Sequence, residues 1–288
     1  MKITIYLAFY LFAFSHFAEA QQLQGKVLAP TSGRRSIKDM LIVDSGHIRL
    51  FYALNAQDIN NSETYIDLQR LDIGEHSSKY YSHFVFNNDS LIWSWLQSHP
   101  NANSVKRQMG PLGRMNYWWS EYKYSEYFKD YQTNLLTEYA RMPHTIRPDM
   151  KYSENIPTQD WTINNDTLTV CGYLCQKATC RFRGRDYIAW FTMDIPINNG
   201  PWKFGGLPGL ILKVYDVDQF YTFECIKIEN SKFQIKKYDF SSYQPTERLK
   251  LLKFQRALNE DFCRVAKARS KDGGKLPDPV PYEPLELE

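Results

Sequence analysis

A succession of stretches in the second half of this 288-residue chain alternates apolar and polar residues with period two, separated by gaps of only a few residues. Alternation at that period puts one set of side chains on a core face and the other toward solvent, which is how a half-buried strand reads. Leu168 to Cys171, Tyr173 to Arg183, Asp186 to Met193, Leu210 to Asp216, Phe220 to Ile228 and Phe233 to Tyr238 fit this pattern. The breaks at Asn164-Asn165-Asp166, Gly184-Arg185 and Val217-Asp218 are hairpin-sized. Parallel pairing needs a crossover of a dozen residues or more, so strands joined this tightly run antiparallel. Ile48 to Leu54, Tyr80 to Phe86 and Tyr117 to Tyr127 extend the series upstream, with Asn60-Asn61-Ser62 and Asn87-Asn88-Asp89 reading as turns or loops.

One helix is predicted over 246–270. Thr246 is its expected cap, and Leu251, Phe254, Leu258, Phe262 and Val265 recur at helical steps to make one apolar stripe. Gly273-Gly274 would end it, and the tail from Lys275, with Pro277, Pro279, Pro281 and Pro284, should be extended. The expected fold is mainly β: a single curved antiparallel meander or half-open barrel with a C-terminal amphipathic helix packed against it.

Residues 1–20 read as a secretory signal peptide. Lys2 precedes an apolar run from Ile3 to Phe14, too short to span a bilayer, and Ala18-Glu19-Ala20 supplies a small-x-small cleavage site. The chain is therefore expected to be exported, to a periplasmic or secreted location, beginning at Gln21. It divides into 1–20, a single β-rich domain over 21–274, and the Pro-rich tail 275–288. No transmembrane segment is expected in the mature chain. The charge of +3, from 35 basic and 32 acidic residues, is too even for a nucleic-acid partner.

All five cysteines, Cys171, Cys175, Cys180, Cys225 and Cys263, lie in the exported part and are disulfide candidates in an oxidising compartment. Five is odd, so one thiol is left over. Cys263 falls on the flank of the helical stripe and is expected to be paired, with its partner among the other four left open.

The chemistry search points away from an enzyme. His47, His76, His83, His99 and His144 form no H-x-x-H pair, no serine sits in G-x-S-x-G, and no nucleotide-binding glycine motif appears. No catalytic residue, metal or cofactor is called for. A metal-handling or thiol protein around Cys175, with that residue as a nucleophile, is the remaining alternative. Two binding surfaces stand out. Arg181 and Arg183 share one face of a strand, so that with Arg185 they could grip an anion, against the plainer reading of solvent-facing arginines. Trp93 and Trp95 are candidate stacking platforms, against the plainer reading of core aromatics.

One region is more specific. Gly172-Tyr173-Leu174-Cys175-Gln176-Lys177-Ala178, Gly184-Arg185-Asp186-Tyr187-Ile188-Ala189-Trp190-Phe191-Thr192 and Ile195-Pro196-Ile197-Asn198-Asn199-Gly200-Pro201-Trp202-Lys203-Phe204-Gly205 lead into Gly206-Leu207-Pro208-Gly209-Leu210-Ile211. This run resembles the GLPGLI family of exported Bacteroidota proteins, also described as a Porphyromonas-type family of unknown function. Tyr282-Glu283-Pro284-Leu285-Glu286-Leu287-Glu288 resembles that family's closing motif, with Glu283 where Asn is usual. The resemblance implies export and a fold rather than a reaction. It suggests a non-enzymatic binding or accessory module whose partner is an outer-membrane transporter of the TonB-dependent kind or a small ligand. A carrier of lipids or other hydrophobic ligands on an aromatic-lined concave sheet is the alternative. Physically, Leu207-Pro208-Gly209-Leu210 fits a type II turn with positive φ at Gly209, opening the strand at Leu210.

Overall fold

The computed structural model describes residues 27–33, 35–144, 146–268 and 275–288. The expected signal peptide, its cleavage site and Gly273-Gly274 lie outside these. Among the described residues, twelve strands form a single sheet. In chain order they are β1 (Leu41–Leu54), β2 (Asp67–Gly74), β3 (Ser77–Ser82), β4 (Ser125–Asp130), β5 (Leu135–Ala140), β6 (Met150–Asn155), β7 (Thr162–Val170), β8 (Tyr173–Phe182), β9 (Arg185–Thr192), β10 (Leu210–Asp216), β11 (Thr222–Lys237) and the short β12 (Gln244–Pro245). Helix α1 (His83–Ser98) follows β3, a single turn α2 (Glu121–Tyr124) precedes β4, and α3 (Arg248–Glu260) and α4 (Phe262–Val265) follow β12.

The spatial order β12-β6-β5-β4-β3-β2-β1-β11-β10-β9-β8-β7 shows two antiparallel meanders, one running β1 to β6 and one β7 to β11. They are joined along β1 and β11, from Leu41 opposite Lys237 to Leu54 opposite Phe223. Only β12 pairs in parallel, against β6.

This order forces the sheet to curl. Strands β6 and β7 are ten places apart in it, which at ~4.8 Å per strand would be about 48 Å across a flat sheet. The chain links Asn155 to Thr162 directly, a span of about 25 Å at most even when fully extended. The two ends must therefore approach each other, and Arg183, beside β8, pairs with Glu154 of β6 at 2.7 Å. The sheet is strongly curved and open, as the half-open reading anticipated.

Alternation along β1 sends Ile48, Leu50, Tyr52 and Leu54 into the main core inside the curl. On the opposite face, Phe51 meets His83 of α1 edge-on and Ala53 joins Tyr65, Phe84 and Leu112 in a smaller core. The connection from β9 to β10 does not skirt the rim. It carries Trp202, Phe204 and Leu207 into the main core, where Phe204 lies 5.3 Å from Trp202 and 4.8 Å from Tyr187 between ring centres.

Several local expectations are corrected. Tyr80 to Phe86 is not one strand: β3 stops at Ser82, whose hydroxyl caps α1 by accepting from the Val85 N–H at 3.0 Å. Asn87-Asn88-Asp89 lies inside that helix, its polarity used for buried anchors rather than a turn. Asn88 accepts from the N–H groups of Met109 and Gly110 and donates to Ser32, while Asp89 accepts from the Gly33 N–H and from Arg141. Tyr117 to Tyr127 is broken by α2 before β4 begins. Asn164-Asn165-Asp166 is an irregularity within β7, and the hairpin lies at Cys171-Gly172 instead, where both φ values are positive, as at Arg183-Gly184. Such pairs match the twist of the flanking strands.

The predicted helix over 246–270 is interrupted at Asp261, whose carboxylate caps α4, and its first cap is Glu247 rather than Thr246, whose N–H bonds to Lys151 in the β12–β6 region. Its stripe packs as expected: Leu251 and Leu258 are buried with Trp119, Tyr124 and Tyr152, and Phe254, Phe262 and Val265 lie against them. Gly209 does not have positive φ; Gly206 does, at +83°. Gly209 is a glycine for a different reason, since a Cβ there would sit 2.0 Å from the Thr192 carbonyl oxygen on the neighbouring strand.

Candidate functional site

The motif loop and the tail meet. Residues 275–288 form no helix or strand, and 282–288 pack against the rim of the curl. Tyr282 donates to the buried Glu121, Tyr221 donates to the Glu283 carbonyl at 2.6 Å, and Arg185 donates to the Pro284 carbonyl at 2.6 Å. Leu285 enters the main core. Glu286 accepts from Lys203 and Arg248, and Arg183 lies 3.4 Å away.

Lys203 has no solvent-exposed side-chain surface; it also donates to Tyr152 at 2.6 Å and lies 3.8 Å from Glu138 and 3.7 Å from Glu154. Three cations, Lys203, Arg183 and Arg248, thus face three carboxylates, Glu138, Glu154 and Glu286. Burial pushes Glu138 above the usual carboxylate range, an effect that Lys203 opposes. The cluster is made of the chain's own groups, which makes it a clasp between the β9–β10 connection and the C-terminal segment.

The predicted binding residues do not converge. Arg181 is exposed and pairs with Asp186 at 3.1 Å. Arg183 turns into the clasp, and Arg185 is buried between Asp216 at 3.5 Å and Glu283 at 3.2 Å. Trp93 and Trp95 lie on α1, half-buried, the first under Lys38 at 5.5 Å and the second stacked on His99 at 4.4 Å. Neither faces the inside of the sheet, where Trp202 and Phe204 occupy the concave space that a hydrophobe carrier would use. Residues 206–211 make a structural crossing, with Leu207, Leu210 and Ile211 buried and the Ile211 carbonyl accepting from Tyr52 at 2.7 Å.

All five cysteines are free thiols in this structure. Cys175 and Cys180 point into the main core from β8, and burial pushes their thiols up to about 11 and about 12, so neither is activated as a nucleophile. Cys263 is not bonded, contrary to expectation. It sits on α4 beside the second core, whereas the other four belong to the first, so the helix carries it away from every candidate partner.

The open site lies elsewhere, among three segments that sequence reading passed over. A cleft of about 420 Å³ is formed by Pro30, Thr31, Arg35, Ser36 and Asp39, by Arg141, Arg147 and Asp149 between β5 and β6, and by Tyr238, Asp239, Ser242 and Tyr243 after β11. Its inner wall is held by hydrogen bonds and ion pairs. Arg35 donates to Glu126 at 2.7 Å and to Tyr243, and its guanidinium lies 4.8 Å from the Tyr238 ring centre. Arg141 donates to Asp89 at 2.6 Å and to the Thr31 carbonyl at 2.8 Å.

Glu126 feels burial, which disfavours its charge, yet Lys79 and Arg35 outweigh that and hold it below the usual carboxylate range. The Tyr238 hydroxyl is buried on the cleft wall and has no hydrogen-bond partner. Arg147 and Asp149 lie 3.9 Å apart at the mouth. The local signal that could have drawn attention here is the Tyr238-Asp239-Phe240-Ser241-Ser242-Tyr243 run, aromatic and turn-forming at once.

A family model described as a protein of unknown function (Porph_ging) matches residues 183–213, which hold the turn at Arg183-Gly184, β9, the motif loop and the start of β10. No curated protein matches the sequence. Two crystal forms of PNGF-II are similar in shape, at 13% identity with a TM-score of 0.46 and at 14% with 0.45, each over 73% of this chain. The chain spans about a third of the length of those proteins, 33% and 32% respectively.

Proposed function

We propose that this chain is an exported, non-enzymatic binding module of the GLPGLI type, and that its cleft between Arg35, Arg147 and Tyr238 takes a small, uncharged, polyhydroxylated ligand. The supporting observation is the lining. Three guanidinium groups, Arg35, Arg141 and Arg147, stand against three carboxylates, Asp39, Asp149 and Asp239, so the cleft favours no net ligand charge. Two tyrosines and two serines add hydroxyls and ring surface. Aromatic edges beside guanidinium and carboxylate groups suit a ligand that presents apolar C–H faces and many hydroxyls, in the way a saccharide does. Accessory service to a TonB-dependent transporter fits this reading as delivery or recognition of such a ligand.

The test is native mass spectrometry of the full chain purified from its own host, followed by titration with a panel of neutral oligosaccharides. The expected result is a bound neutral species that Asp39→Ala with Arg147→Ala weakens at least tenfold, while Lys177→Ala, on β8 and outside the cleft lining, leaves it unchanged. Saturable binding of a fatty acid instead, unaffected by the cleft variants, would overturn the proposal.

A further inference from the structure

We propose that a pocket between two of the smaller cores is a second binding site, and that it takes a small aromatic carboxylate with the ring inside and the acid group at the mouth. The pocket has a volume of about 100 Å³, and its lining comes from the segment around Pro30, the loop around Lys106, and Leu112, Tyr124 and His144. It opens where two hydrophobic clusters do not meet. Tyr124 packs with Val27 and Trp119 in one of them, Leu112 with Tyr65 and Phe84 in the other, and both side chains also face this space.

The walls are held by the fold itself. The Ala29 N–H donates to the Tyr117 carbonyl at 3.0 Å and the Trp119 N–H to the Val27 carbonyl at 2.7 Å, so the two segments pair around an antiparallel bridge at Leu28 and Trp118. Asn88, buried on α1, donates to the Ser32 hydroxyl at 3.0 Å and to the Arg107 carbonyl at 3.3 Å, tying two parts of the lining to one side chain. The buried Lys123 ammonium donates to the Leu112 carbonyl at 2.5 Å and to the Met115 carbonyl at 3.2 Å, which anchors the chain between Leu112 and Tyr117. His144 bonds through Nδ1 to the Thr31 hydroxyl at 3.0 Å. A pocket fixed at this many points loses little further freedom when a ligand enters.

Charge decides the ligand's polar end. No carboxylate lines the pocket, whereas Lys106 and Arg107 do, and both are exposed and therefore stand at its mouth. Neither side chain has an ion-pair or hydrogen-bond partner among the described residues. Exposed cations bind an anion only weakly by themselves. Beside an apolar interior they select which end of an amphiphilic molecule stays outside, and a carboxylate there gains charge-assisted hydrogen bonds while the rest of the ligand leaves water.

Size decides the apolar end. A dry cavity of roughly 150 Å³ accommodates benzene, so a pocket of this order that opens to solvent admits a single ring and excludes a long acyl chain. Tyr117 and Tyr124 add ring surface for edge or offset contacts. The site is distinct from the cleft proposed for a saccharide, since the two linings share only Pro30 and Thr31.

The experiment is calorimetric titration of the full-length chain with four probes: benzoate, benzyl alcohol, acetate and benzylammonium. The expected result is one-to-one binding of benzoate, with the ring alone and the acid alone each at least tenfold weaker and benzylammonium weaker still. Lys106→Gln with Arg107→Gln, both at exposed positions, should weaken benzoate at least tenfold and leave benzyl alcohol within twofold of wild type. Asp39→Ala with Arg147→Ala should leave benzoate unchanged, so a failure at this site is read apart from a failure of the saccharide reading. Absence of saturable benzoate binding up to about 10 mM would overturn the proposal. So would benzylammonium binding as tightly as benzoate, a Lys106 and Arg107 double variant that binds benzoate like wild type, or loss of benzoate binding in the cleft variant.

Discussion

The Lys203 ammonium and the Glu286 carboxylate form a buried ion pair that ties the motif loop inside the curl to the segment packed across its rim. Neither group has appreciable contact with water, so removing one leaves the other's charge uncompensated in the interior, which typically costs about 3–5 kcal/mol. Glu286→Ala and Lys203→Met should each lose stability in that range. The double variant should lose clearly less than the sum, because no orphaned charge remains from this pair. Urea denaturation of all four chains measures the coupling, and strictly additive losses would show that the two groups do not act as a pair.

Glycine substitutions separate two kinds of requirement. At Gly172, φ is +83° with open space around the position, so alanine should cost only the backbone preference, about 1–2 kcal/mol. At Gly209 the conformation is ordinary but the Thr192 carbonyl stands 2.0 Å from where a Cβ would be, and β9 must separate locally from β10. Gly209→Ala should therefore cost about 3 kcal/mol or more. Equal losses in the two variants, compared by chemical denaturation, would contradict this assignment.

Lys129 supplies a pH dependence with a definite sign. It is buried, donates to Asn199 at 3.0 Å and to the Phe204 carbonyl at 2.6 Å, and burial lowers it to about 7 from its ordinary 10.5. Between those values the unfolded chain binds more protons than the folded one, so this residue's contribution makes stability rise as pH climbs from about 7 toward 10.5. The slope is at most about 1.4 kcal/mol per pH unit. Lys129→Met should lose that component, so the wild-type advantage over the variant should grow across this window and be smallest near pH 6. A difference between the two chains that does not change with pH would show that Lys129 keeps its charge in the fold.

Adjacent asparagines on α1 should behave differently. Asn88 satisfies the N–H groups of Met109 and Gly110, so Asn88→Ala leaves buried donors unpaired and should cost about 2–3 kcal/mol. Asn87→Ala should stay within about 0.5 kcal/mol of wild type. Thermal unfolding of the two variants side by side checks the contrast.

Strands β8, β9 and β10 were legible because their alternation survives and their turns carry local signals, whereas Phe220 to Ile228 and Phe233 to Tyr238, read as two strands, are one continuous β11 whose polar middle, Glu229 to Lys232, looked like a break. Helix α1 was not, since Asn87, Asn88 and Asp89 have turn composition, and only the partners at Ser32, Gly33, Met109 and Arg141 show why polar residues belong on a buried helix face. Gly209 was recognised as necessary on the wrong ground, because close approach between strands leaves no mark on the sequence of either one. The arginines of 181–185 have the right chemistry for an anion, but their direction depends on carboxylates at Glu154, Asp216 and Glu286 that no local pattern connects to them. The cleft was invisible for the same reason: its walls come from three segments far apart in sequence, around Arg35, Arg147 and Tyr238.

Pairing β1 with β11 also imposes a timetable. When the chain is made from its first residue onward, the β1–β6 meander is complete while β11 does not yet exist, and the long flank of β1 has bare N–H and C=O groups. An unpaired edge of that length is a template for pairing with another copy, and contacts this distant in sequence form slowly. The exposed Leu41, Ile42 and Val43 at the start of β1 make that interval more hazardous still. A nascent chain of this topology therefore depends on being kept apart from its neighbours until residue 237 has emerged, and a truncation before Thr222 should yield aggregate rather than a half-size domain.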